Sequence, residues 1–244
     1  MQDGGEQNRE FVKIHFENEC DAKLKNYMSE SLINPTRKIA HSQDFSHNMK
    51  KLRNAVYSSG IHKSNTRTLV KGEHQIVWDQ WINAAKWDED TNSRKIHYKL
   101  TPSHLHPDSA EKMRNHLAEE VLDEDMCHLV KHYRKSLQHC SVLDSAVEFL
   151  ENTSKLISVF RDRRPILSYH DTRLESLRLV LQYFMTWREE VDHLSISQKE
   201  KEKRLPSKKC LDEVSYQLLQ SFVKFTLQNF QVKALCLQDL IQML

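Results

Sequence analysis

The chain has 244 residues, 36 Lys and Arg against 34 Asp and Glu, a formal net charge of +2 and 39% hydrophobic residues. That hydrophobic share is enough for a core and excludes full disorder. The near balance of charge excludes a general attraction for nucleic acid, and no secretory h-region or membrane span is present.

Residues 11–16 alternate apolar and polar side chains as a strand does, and residues 36–41 are a second candidate strand, ending just before Asp44. From Asp44 a helix runs through Val56, placing Lys50, Arg53 and Asn54 on adjoining turns, with Ser58, Ser59 and Gly60 to end it. Asp44 is itself a good N-cap residue. Trp78, Trp81 and Trp87 follow at helical spacing and read as core or interface anchors. From Pro107, taken as a first-turn proline, the pattern is helical almost without interruption. Met113, Leu117, Val121, Met126, Leu129, Tyr133 and Leu137 trace one apolar stripe to about residue 138. A second helix carries Val147, Leu150, Leu156, Ile157 and Phe160, and closes on the basic run 161–164 before Pro165. Thr172 with Glu175 forms a capping box for a third, bearing Leu174, Leu177, Val180, Leu181, Phe184, Trp187 and Val191. Residues 195–209 are rich in Lys, Glu and Ser, carry no apolar periodicity and predict an exposed loop. Residues 211–230 and 232–244 predict further helices. Four Gly and five Pro in the whole chain fit long helices on short links.

Five cysteines, Cys20, Cys127, Cys140, Cys210 and Cys236, with no C-x-x-C pair, predict reduced thiols of the cytosol or nucleus. Cys127, His128, His132, His139 and Cys140 were weighed as zinc ligands. Cys127 and Cys140 stand too far apart along one helix to share a tetrahedral ion.

The segment 44–54 combines a carboxylate at a strand end, His47 and a cationic helix face, which is the equipment phosphodiester chemistry uses: a carboxylate for Mg²⁺ and cations for the backbone. Its order, Asp44, His47, Lys50, Arg53, Asn54, resembles the D-x-P-H-L-x-K-x-x-R-N segment of the P-element superfamily of DNA transposases, which includes the THAP-type transposases, with Ser46 and Asn48 as departures. Asp3, Gly4, Asn8, Arg9 and Phe11 resemble the family's D-G-x-x-x-N-R-x-F. Gly72, His74 and Ile76 to Trp78 resemble its G-x-H-I-x-W, and Lys99, Leu100, Thr101 and His104 its K-L-T-x-x-H-I. Lys112, Met113, Leu117, Ala118, Val121 and Leu122 resemble the helix that follows. Leu237 to Gln242 resembles the N-Q-D-x-L-E segment near the end.

The resemblance implies an RNase H-like core whose Asp, Asp and Glu bind two metal ions, interrupted by a helical insertion that binds GTP. On that reading residues 1–92 are a partial RNase H-like α/β segment, 93–205 the helical insertion and 206–244 the start of the returning segment, so the fold is mainly α. Asp44 matches the second metal-binding Asp and would hold Mg²⁺. Gln242 stands at the closing Glu and, being neutral, lacks the charge Mg²⁺ asks of a ligand. The first catalytic Asp has no match, since Asp3 belongs to the later D-G motif. The chain therefore reads as a truncated or domesticated transposase relative without turnover.

In the insertion, the family's M-K-V stands here as Met113, Arg114 and Asn115, and Ser158 replaces an expected guanine-reading carboxylate. No P-loop exists, as no glycine follows Gly72. Lys99 and Arg114 remain as phosphate contacts for GTP. Both Mg²⁺ and GTP are implied by the resemblance and both are expected to be lost. DNA association is expected to be weak and sequence-indifferent, through Lys50, Lys51 and Arg53 with support from Lys63, Arg67 and Lys71. Open alternatives are an active metal-dependent transposase completed by further chain or another subunit, a GTP-binding helical module, and a helical scaffold for a protein partner or a second copy. A nuclear or cytoplasmic location fits each.

Overall fold

The computed structural model describes residues 28–30, 34, 38–40, 44–60, 66–168 and 170–206. Its architecture is mainly helical. Its strands form two short antiparallel pairs: β1 (Met28–Glu30) with β2 (Lys38–Ala40), in register Ser29 to Ile39, and β3 (Leu69–Lys71) with β4 (His74–Ile76), in register Val70 to Gln75. Gly72 makes the turn between β3 and β4 with a positive φ of 60°, where a side chain would be strained. The predicted strand ahead of Asp44 is present as β2; that at 11–16, and the helices predicted after residue 206, lie outside the described residues.

Helix α1 (Phe45–Tyr57) starts where the sequence placed it. Asp44 is its extended N-cap and its carboxylate accepts the Ser46 amide at 3.3 Å, meeting one of the orphan donors of the first turn. Phe45, Met49, Leu52 and Val56 recur at helical spacing and are all buried. Ser59 then ties three elements together: its hydroxyl donates to the Ile76 carbonyl at 2.7 Å and accepts the Leu69 amide at 3.0 Å.

Helix α2 (Trp78–Thr91) begins after Val77, whose side chain cannot cap. Gln80 supplies the available half of a capping box by accepting the Val77 amide at 3.0 Å. A single turn α3 (Pro102–Leu105) follows, and then the chain departs from its predicted course. Pro107 lies past α3 and opens no helix. The single stripe expected to residue 138 is a 3₁₀ turn (Glu111–Met113), α4 (Asn115–Glu120) and α5 (Glu124–Ser136). Asp123 makes the break, because its carboxylate accepts the Met126 amide at 3.0 Å and starts a new helix. The bend turns Leu117, Val121, Leu122 and Met126 into the core, and Met113 stands outside it.

Helices α6 (Asp144–Arg161) and α7 (Thr172–Asp192) match the predicted second and third helices, and all seven apolar residues named for α7 are buried. The α7 cap is one residue earlier than the capping box suggested: Asp171, not Thr172, accepts the Arg173 amide, at 2.9 Å. The stretch expected to be an exposed loop holds α8 (Gln198–Arg204), started by a Ser197 and Glu200 capping box. Its end is anchored by Leu205, which is buried, and by the Thr68 amide donating to the Lys203 carbonyl at 2.9 Å.

One contiguous core runs from Phe45 to Leu205 and so joins residues on both sides of position 92. Three tryptophans organise it. Each has a fully buried ring and spends its one polar hydrogen on a carbonyl of another element: Trp78 on Leu105 and Trp81 on Val121, both at 2.8 Å, and Trp187 on Val70 at 2.6 Å. A buried indole without such a partner would cost about 1–3 kcal/mol, so these bonds fix where α2 and α7 sit. Trp87 is half-buried and packs on Tyr133. No described helix is long and apolar enough to cross a membrane.

Candidate nucleic-acid interface

The start of α1 gathers more than its own cap. The Ser46 hydroxyl donates to Glu119 of α4 at 3.1 Å, and Arg161, the last residue of α6, donates through Nε at 2.7 Å and through Nη2 to the other oxygen of the same carboxylate. Beside this link the rings of Phe45 and Phe160 stack with centroids 4.5 Å apart. Glu119 is thus a buried carboxylate saturated by donors, which joins α1, α4 and α6 next to Asp44. Nothing in the sequence pointed to it, because its partners stand 73 and 42 positions away.

Asp44 is partly buried and acts as a cap. Among the described residues no group of three His, Cys, Asp or Glu side chains could hold a metal ion. Gln242, at the suspected Glu position, lies outside the described residues, as does Lys63.

The predicted DNA face of α1 divides. Lys50 and Lys51 are half-buried and reach the surface. Arg53 is a correction: it is fully buried, donates through Nε to Asn54 at 2.8 Å and through Nη2 to the Lys112 carbonyl at 2.8 Å, and leaves Nη1 unbonded. Burial pulls its guanidinium pKa below the usual value. It holds a loop and does not meet solvent. Lys71 is corrected likewise, being buried against Glu190 of α7 with its ammonium 5.8 Å from the Tyr183 ring centre. Arg67 donates to the carbonyls of Glu202 at 2.9 Å and Leu205 at 2.7 Å and so fastens α8 to β3.

The two proposed phosphate contacts are not in equivalent states. Lys99 is bonded to Asp125 at 3.1 Å, and that bond raises its pKa. Arg114 is exposed. Ser158 is exposed on α6. Thr101 and His104, from the same motif as Lys99, build structure: the Thr101 amide donates to His104 Nδ1 at 3.1 Å, so Nε2 carries the proton that faces Glu120 at 2.7 Å. His97 is fully buried with Nε2 donating to the Glu120 carbonyl at 2.8 Å. Of the residues weighed for zinc, Cys127 is buried, with burial raising its thiol pKa, and Cys140 is exposed.

No protein-family model matches the chain, and no curated protein matches it in sequence. Among solved structures, it is similar to a chain of the Drosophila P element transposase strand transfer complex, with a TM-score of 0.63 at 16% identity. The two share a fold. The match covers 93% of this chain and 48% of the transposase, so the chain spans about half the length of that relative. At such low identity the similarity is one of backbone architecture, and site residues are compared only through the sequence motifs.

Proposed function

We propose that this chain is a P-element-type, THAP-related transposase relative that associates with DNA and does not itself cut it. The observation that carries the reading is the fold shared with the Drosophila transposase over 93% of this chain, together with short motifs that follow the family's order from Asp3 to Gln242. Asp44, at the junction of β2 and α1, stands where the motif expects a metal-binding Asp of an RNase H-like core. Two-metal chemistry needs carboxylates on both sides of the scissile phosphate. Here Glu119, joined to the start of α1 through Ser46, is committed to Arg161 and Ser46, and the motif's closing Glu is Gln242. These residues support association without turnover. Lys50 and Lys51 are the cations of α1 that reach the surface once Arg53 is assigned to the interior.

Fluorescence anisotropy of the full chain on unrelated DNA duplexes across a salt series tests this. Each phosphate contact steepens the log-log salt slope by about 0.9, equally for all sequences, and Lys50→Ala with Lys51→Ala weakens every duplex alike. No binding at low salt would remove DNA and leave a protein-interaction scaffold. Strand cleavage in Mg²⁺ or Mn²⁺ that disappears in Asp44→Asn would show an active enzyme instead.

A further inference from the structure

The 3₁₀ turn before α4 ends in Lys112, Met113 and Arg114, and its apolar member is the one set outward. Met113 is 65% exposed between a half-buried Lys112 and an exposed Arg114. Single exposed apolar residues are ordinary, but this one stands on a braced support. Three side chains from one face of α1 hold it: Lys50 donates to the Met113 carbonyl at 3.3 Å, Arg53 to the Lys112 carbonyl at 2.8 Å, and the Tyr57 ring lies 4.4 Å beneath the Lys112 ammonium. Positions 50, 53 and 57 recur at helical spacing.

The brace is expensive. Arg53 is a buried cation with no carboxylate bonded to it among the described residues and with one guanidinium nitrogen unbonded. An arrangement that costs stability persists where the position it fixes matters, and what Arg53 fixes is the backbone of this turn. The adjacent Glu111 accepts the Asp108 amide at 2.8 Å and the Ser103 hydroxyl, stays charged and interacts with Arg114, so the turn carries two cations against one carboxylate.

We infer that Lys112, Met113 and Arg114 form a DNA-contacting wedge, with Met113 inserting at a base step and the two cations seated on flanking phosphates. The occupant follows from chemistry: an exposed apolar side chain between two positive charges, on a turn held by α1, complements a stacked base step between phosphates, and Met is among the residues that unstack such steps. Lys50 and Arg53 are then positioning residues behind the wedge. The inference rests on the DNA reading above and names the element that makes the contact.

The test uses the full chain, a fluorescein-labelled duplex for affinity and a 2-aminopurine duplex to report unstacking. Wild type brightens 2-aminopurine on binding. Met113→Ala loses that signal and several-fold in affinity with an unchanged salt slope, while Met113→Leu retains both. Arg114→Ala keeps the signal and makes the slope shallower by about 0.9. Because Met113 and Arg114 are exposed, these variants fold. If wild type binds and Met113→Ala matches it in signal and affinity, the wedge is refuted while DNA association stands. If wild type does not bind at low salt, DNA association fails and the wedge with it.

Discussion

Replacing Glu119 by Gln tests whether the link beside Asp44 is an energetic unit or a surface contact. Glu119 is 4% exposed and accepts three hydrogen bonds, two from Arg161 and one from Ser46. Arg161 is different, with 60% of its side chain exposed. A fully buried pair broken on one side loses about 3–5 kcal/mol, and an exposed pair about 0.2–1 kcal/mol. Solvent at the Arg161 end screens the interaction and rehydrates the guanidinium when the carboxylate is gone, so the lower half of that interval applies. We expect a Glu119→Gln, Arg161→Met double-mutant cycle to give a coupling of about 1–2 kcal/mol. Urea unfolding followed by tryptophan emission is a suitable assay, since Trp78, Trp81 and Trp187 are 1%, 0% and 0% exposed and report loss of the core. A coupling below about 0.5 kcal/mol would place the pair with ordinary surface contacts and refute the link between α4 and α6 as an energetic unit.

GTP should leave the melting temperature unchanged, because Lys99 is bonded to Asp125 and the position expected to read guanine is Ser158. A saturable rise with GTP but not ATP, weakened in Lys99→Ala, would restore the nucleotide site. Acid should act on the link between α6 and α7. Asp162, just past α6, faces Arg173 of α7 at 3.4 Å, and bonds from Arg164 to Asp162 and from Arg173 to Asp171 hold both carboxyls below the usual range. A depressed folded pKa contributes stability that is present above the unfolded value of about 3.9 and is lost as pH falls through the folded one. Thermal melts of wild type and Asp162→Asn should therefore differ at neutral pH, with the gap starting to close only below about pH 4 and narrowing further as pH falls toward the depressed folded value; a gap independent of pH would contradict the assignment.

The sequence by itself determined what depends on neighbours along the chain. The Asp44 cap, the apolar faces of α1, α6 and α7 and the core placement of Trp78 and Trp81 all rest on periodicity or capping within a few residues. The order of short motifs likewise carried the resemblance that the fold comparison supports. What needed the tertiary structure is set by distant partners. Arg53 has the spacing of a surface cation, but the Lys112 carbonyl 59 positions away draws it inside. Lys71 has a like history, because Glu190 approaches it from α7. Met113 fits an apolar stripe on paper, but extended Arg114 separates its 3₁₀ turn from α4 and Met113 stands at the surface. The segment at 198–204 has a polar sequence and still forms a helix, since Leu205 and Arg67 anchor its end. Periodicity reports which face of an element is apolar, whereas the burial of a charge is decided by whatever carbonyl or carboxylate the fold brings to meet it.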